Sequence, residues 1–98
     1  MWILQTKEDA EGKRLTYRLP DGSVKMIGRA PGADFILEAP LVSRLHCQLS
    51  SSADGRLDVK DMGSTNGTFV NGQRREEATL AEGDRIKVGR VELTVSRA

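Results

Sequence analysis

The chain has 98 residues, with 15 Lys and Arg against 14 Asp and Glu, a formal net charge of +1. That length supports one core and not two, so a single domain over residues 1–98 is expected. The near-balance of charge argues against broad contact with nucleic acid or an anionic membrane surface, both of which need a clustered basic face. A local positive site inside a neutral domain stays open. Cys47 is the single cysteine, which excludes a disulfide framework and a cysteine-based zinc site. With only His46 beside it, no metal shell can be completed, and no cofactor is expected. No apolar run approaches the ~18 residues of a membrane span, and Met1 to Leu4 is too short for a signal peptide. The expectation is a cytoplasmic, soluble, monomeric domain, or a module cut from a longer chain.

Trp2 to Thr6 opens the chain with strand-forming residues, and the charged stretch from Lys7 to Lys13 reads as a solvated hairpin turn. Leu15 to Leu19 alternates apolar and polar, as a strand with one wet face does. Pro20-Asp21-Gly22-Ser23 is a turn, and Val24 to Ile27 resumes the alternation and delivers Gly28-Arg29 at its end. Ala30 to Asp34 is a loop by composition, Phe35 to Leu37 a short apolar strand, and Glu38-Ala39-Pro40 its terminator. His46 to Ser50 and Leu57 to Asp61 read as strands around the polar turn Ser51 to Gly55. After Gly63 to Gly67 come Thr68-Phe69-Val70 and then Asn71-Gly72, a strong hairpin signal. Gln73 to Glu77 is a ragged edge strand or the outer arm of that hairpin, with Arg74 to Glu77 guarding an edge by charge. Leu80 to Asp84 reads as a turn, and Arg85 to Val88 with Val91 to Val95 closes the chain as a hairpin about Gly89-Arg90.

No helical period is sustained anywhere. Short strands with turn signals between them predict an all-β protein, a two-sheet antiparallel sandwich. Three segments between the strands then gain importance: Gly28-Arg29, Ser43-Arg44-Leu45-His46, and Gly63 to Thr68. Brought to one end of the sheets, they form a cationic hollow rich in donors. A phosphate group suits it, with roughly −1.5 to −2 charges and three strong acceptor oxygens.

The ordered set Gly28-Arg29, Ser43-Arg44-Leu45-His46, Ser64-Thr65-Asn66-Gly67-Thr68 and Asn71-Gly72 resembles a forkhead-associated (FHA) domain, over about residues 24–95. Each piece alone is weak; all of them in this order and spacing are specific. The resemblance implies a sandwich of about eleven strands whose apical loops bind phosphothreonine peptides, the products of Ser/Thr kinases. It implies that Arg29, Ser43, Arg44 and Thr65 contact the phosphate. Asn66 then holds the ligand backbone through a side chain that both donates and accepts. His46 is implied as a hydrogen-bonded brace, and Gly28, Asp61, Ser64, Gly67, Thr68, Asn71 and Gly72 as structural support for the loops. Arg44, Leu41 and the Ala30 to Asp34 loop are candidates for reading the third residue after the phosphothreonine.

Three other readings are open at this point. Ser43, His46 and Asp61 supply the residue types of a hydrolase triad, although no Gly-x-Ser-x-Gly elbow is present. A phospho-independent sandwich that docks or builds structure is the alternative to a phosphate reader, because fold alone does not set function. Thr6, followed at the third position by Asp9, is a candidate phosphosite for recognition of one copy by another.

Overall fold

The computed structural model describes residues 1–98 and contains eleven strands and no helix. In chain order these are β1 (Trp2–Gln5), β2 (Thr16–Leu19), β3 (Val24–Gly28), β4 (Phe35–Ile36), β5 (Cys47–Ser51) and β6 (Leu57–Asp61). They continue with β7 (Thr68–Val70), β8 (Gln73–Arg74), β9 (Glu77–Leu80), β10 (Arg85–Val88) and β11 (Val91–Arg97). One sheet has the order β2-β1-β11-β10-β7-β8 and the other β4-β3-β5-β6-β9. This is the expected sandwich, antiparallel except at β3 and β4. There the Arg29 to Asp34 loop carries the chain back to run in the same direction, setting Ile27 beside Phe35 and Gly28 beside Ile36.

The strands follow from period-two patterning. Leu57 and Val59 are buried while Lys60 is exposed, and Ile86 and Val88 are buried while Arg85 and Lys87 are exposed. Inward-facing residues of both sheets merge into one cluster of 17 buried side chains, including Leu4, Leu19, Ile27, Leu49, Leu93 and Val95. Each such aliphatic side chain is worth about 1.5–3 kcal/mol when fully withdrawn from water.

Several boundaries differ from the sequence reading. Gln73 to Glu77 is neither one edge strand nor one hairpin arm. β8 pairs with β7 in the first sheet, and β9 pairs with β6 in the second. The chain changes sheets at Arg75-Glu76, where Arg75 N–H donates to the Thr68 carbonyl (2.9 Å) and Asp61 N–H donates to the Glu76 carbonyl (2.7 Å). Leu80 is a buried strand residue and not part of a turn. The preceding run of charge masks the short alternation of β9. At the end of the chain, β11 runs on to Arg97 because β1 lies beside it, with Trp2 opposite Arg97.

The Asn71-Gly72 hairpin forms as expected, with φ of 49° and 85° at its two residues, the positive values that a two-residue primed turn requires. Its place is not the one expected. Asn71 N–H donates to the Arg85 carbonyl (2.8 Å), and its Oδ1 accepts from Arg85 N–H (2.9 Å). Its Nδ2 donates to Asp84 (3.1 Å). Asn71 therefore staples the β7–β8 hairpin to the start of β10, and Gly72 completes the turn. They sit at the end of β7 remote from Thr68, and they do not support the Gly63 to Gly67 loop.

Cys47 lies in the core with no exposed surface, and burial pushes its thiol up to about 12, despite a hydrogen bond with Thr68 that works the other way. The thiolate, not the thiol, is the nucleophile. The folded protein is therefore expected to leave a disulfide-exchange reagent unreacted at pH 8. One equivalent should react as denaturant unfolds the chain, and rapid reaction of the native protein would contradict this placement.

Candidate functional site

His46 is fully buried, and each polar group it carries is engaged. Its Nδ1 accepts from Ser43 N–H (3.0 Å), which requires that nitrogen to be unprotonated. Its Nε2 then carries the hydrogen and donates to the Gly67 carbonyl (2.9 Å), a tautomer assigned from its partners. The His46 N–H donates to the Ile27 carbonyl (2.8 Å), and the His46 carbonyl accepts from Met62 N–H (2.9 Å). One residue thus joins the ends of β3 and β6 and the two loops that contain Ser43 and Gly67. The hydrolase triad is not formed: both ring nitrogens are committed to backbone groups, and neither faces the Ser43 hydroxyl.

The Gly63 to Gly67 loop has its own anchor. Asp61 Oδ1 accepts from the hydroxyls of Ser64 (2.6 Å) and Thr68 (2.8 Å), and Oδ2 accepts from Ser64 N–H (3.1 Å). Ser64 Oγ in turn accepts from Gly67 N–H (2.9 Å). Partial burial pushes the Asp61 carboxyl up, but the Ser64 and Thr68 hydrogen bonds outweigh it and hold the group below its ordinary value. Gly67 takes a φ of 86°, the left-handed conformation that favours glycine.

Gly28 supports the loops for a steric reason and not for backbone freedom. Its φ is not positive. A Cβ there would lie 2.0 Å from the Arg44 carbonyl oxygen, because the Ser43 to His46 turn packs directly on the end of β3. That approach is sealed by Arg29 N–H donating to the Ser43 carbonyl (3.0 Å) and Ala30 N–H to the Arg44 carbonyl (3.1 Å).

These braces leave four expected side chains along one open groove of about 820 Å³, bounded by Arg29, Ser43, Thr65 and Asn66 with Glu38 to Val42. Arg29 Nε donates to the Val42 carbonyl (3.1 Å), which aims the guanidinium and leaves both terminal nitrogens unpaired. Arg29 forms no ion pair with Asp34 or Glu38, and Asp34 accepts instead from Met26 N–H (2.8 Å). Ser43 Oγ accepts from Thr65 N–H (3.1 Å), so the Ser43 and Thr65 hydroxyl hydrogens stay free while the Thr65 amide is occupied. Asn66 Nδ2 donates to the Leu41 carbonyl (3.0 Å), leaving Oδ1 and one N–H available. Arg44 is exposed on the same turn but does not line the groove. Thr6 lies just beyond β1, half-buried, with Oγ1 accepting from Leu15 N–H (2.9 Å), and is not part of a free tail.

Two contributors escaped the sequence reading. The Val42 carbonyl orients Arg29, and no sequence signal marks a carbonyl. Gly89, read only as a hairpin turn, presses against the groove wall: a Cβ on it would meet the Leu41 carbonyl carbon at 3.0 Å. Leu41 itself has a φ of 70°, an uncommon value for a bulky residue.

A sandwich whose loops at one rim gather an unpaired arginine, two free hydroxyls and a bifunctional amide defines an anion-reading interaction module. The FHA domain family model matches residues 25–89, and the chain belongs to that family. It is 42% identical over 80 residues to the ABC transporter ATP-binding/permease protein Rv1747 of Mycobacterium tuberculosis, covering 82% of this chain and 9% of that protein. It is 36% identical over 75 residues to the glycogen accumulation regulator GarA of the same organism, covering 76% of this chain and 46% of that protein. The chain therefore spans less than half the length of these two curated relatives. A solved FHA domain, from a structural and functional analysis of phosphothreonine-dependent FHA domain interactions, superposes with a TM-score of 0.84 at 34% identity, covering 100% of this chain and 98% of that one.

Gly28→Ala is expected to destabilise the fold on the order of 3 kcal/mol, the upper end for an overpacked site, and urea unfolding measures it. Asp61, with its folded pKa below the unfolded one, contributes stability that is complete above about pH 4, the unfolded value. That contribution is lost as pH falls through the folded value. Asp61→Asn should flatten the acid limb of the stability curve, and an unchanged acid limb would exclude this role.

Proposed function

We propose that this chain is a non-catalytic reader of phosphothreonine, binding a segment of a protein phosphorylated by a Ser/Thr kinase. The observation that carries the reading is the convergence of Arg29, Ser43, Thr65 and Asn66 on one groove with their outward-facing donors free. The two terminal nitrogens of Arg29 match two phosphate oxygens in a bidentate fork, a geometry lysine does not offer. The Ser43 and Thr65 hydroxyls donate to the remaining oxygen. Asn66 accepts a peptide N–H at Oδ1 and donates its second amide hydrogen to a peptide carbonyl. Arg44, outside the groove walls, adds longer-range attraction for the anion.

The energetics suit reversible signalling. Hydrogen bonds to charged groups contribute about 1.5–3 kcal/mol each, so three or four approach the roughly −8 kcal/mol of a micromolar complex. Ordering an extended peptide subtracts from this sum. The reading calls for no proton transfer or bond cleavage, and the one imidazole is buried with both ring nitrogens holding loops. The whole chain acts as one module, and a cytoplasmic setting, where kinases and their substrates meet, goes with this reading.

Calorimetry with a phosphothreonine peptide library and its unphosphorylated counterpart tests it. Micromolar binding restricted to the phosphorylated set is expected, weakening with salt. Arg29→Ala should cost on the order of 2–5 kcal/mol, as removal of one partner of a charged pair does, a loss of roughly 30- to several-thousand-fold in affinity. Equal binding of both peptide sets would favour the phospho-independent alternative.

A further inference from the structure

The two outer faces of the sandwich differ in charge, although the chain as a whole is nearly neutral. Strand alternation turns Arg18, Arg74, Arg85 and Lys87 outward on the six-stranded sheet, with Glu92 as the one acidic residue among them. The outer face of the five-stranded sheet sets Lys60 against Asp58 and Glu77. Folding thus gathers on one face a positive charge that composition conceals.

An aromatic ring stands inside that charge. Phe69 is the cross-strand partner of Arg74 on one side and of Lys87 on the other, and residues directly opposite in neighbouring strands share a face. Phe69 is half-buried and takes no part in the core, whereas Trp2 and Phe35 belong to the core and Tyr17 packs against it. It is the one aromatic side chain of the protein held outside. With Arg85, Lys87 and Glu92 it lines a hollow of about 430 Å³ that ends at Asn71-Gly72. Arg85 pairs with Glu92 at 4.0 Å, while Arg18, Arg74 and Lys87 have no ion-pair partner.

We infer that this face docks an acidic segment of a partner protein, with an apolar side chain seated on Phe69 and carboxylates meeting Arg74 and Lys87 on either side of it. The inference stands apart from the phosphothreonine reading, since the two surfaces share no lining residue. Charge complementarity selects the occupant. Unpaired cations on both sides of one apolar spot call for a ligand that carries anions on both sides of an apolar group. An extended acidic polypeptide supplies this: alternate side chains face the same way at roughly 6.6 Å intervals. Arg74 and Lys87 each start about 4.8 Å from Phe69, one strand spacing away, and their long stems make up the difference. A nucleic-acid strand fits less well, because it is held by successive aromatic platforms along a basic groove, and this face has a single ring.

Amide NMR spectra of the protein, recorded while an unphosphorylated peptide of alternating glutamate and serine with one central leucine is added, test this. Saturable shifts at Phe69, Arg74 and Lys87, with the Arg29 and Asn66 amides unmoved, are expected, and the binding should weaken as salt rises. Lys87→Glu should bind the peptide roughly tenfold more weakly, because one attraction becomes a repulsion of similar size. Lys7→Glu makes the same change in net charge in the β1–β2 loop and should bind like the parent. Lys7 and Lys87 are both exposed, and circular dichroism verifies that each variant folds. Serine in place of the peptide's leucine should also weaken binding. No saturable binding, shifts confined to the Arg29 groove, equal losses in the two variants, or no loss on removing the leucine overturns the inference. A single-stranded oligonucleotide that binds this face more tightly than the peptide overturns it as well, in favour of nucleic acid. The phosphothreonine reading is judged by its own peptides and survives each of these outcomes.

Discussion

The rim of this sandwich depends on one buried side chain held at both nitrogens. The His46 ring lies between Ser43 of its own turn and Gly67, which follows His46 by 21 residues in sequence. It accepts from one backbone and donates to the other, which only a neutral imidazole of fixed tautomer can do. Neither loop has a hydrophobic core of its own, and loops so close to solvent would otherwise drift. Because the ring has no water around it, each bond is strong and each broken bond leaves a buried polar group unpaired. The residue that looks most chemical in the sequence is therefore architectural.

Around that brace the apex is assembled before any ligand arrives. Thr65 N–H holds Ser43, Asn66 holds Leu41, and the Val42 carbonyl holds Arg29. Side chains fixed in this way lose little further freedom on binding, which is the main route by which a small site reaches useful affinity. The remaining donors face outward by default, since every inward one is taken. Asp61 extends the same logic one layer deeper, by holding Ser64 and Thr68 and through them the shape of the last loop.

Much of the fold was legible because strand alternation and turn residues are local signals. β3, β6, β7 and β10 sit close to where their patterns place them, and Asn71-Gly72 makes the hairpin it announces. The β9 strand was hidden because its apolar residues, Ala78 and Leu80, follow immediately on a charged run. Its partner β6 lies in the sheet opposite the one that holds β7 and β8, a nonlocal fact. The candidate site was legible through the spacing of its motifs, but its reasons were not. Gly28 serves close approach to a carbonyl 16 positions later, and Asn71 secures the far end of the hairpin. Both facts depend on which backbones meet, and composition carries no record of that.

The contact between Gly89 and Leu41 has a consequence of its own. Leu41 is kept in an unfavourable backbone conformation, tethered by the Asn66 amide on one side and backed by the β10–β11 turn on the other. The last hairpin of the chain works as a doorstop for a wall formed some fifty positions earlier. Evolution can then adjust which segments fit the mouth by altering a turn that does not line the groove, while leaving the anion-gripping groups as they are.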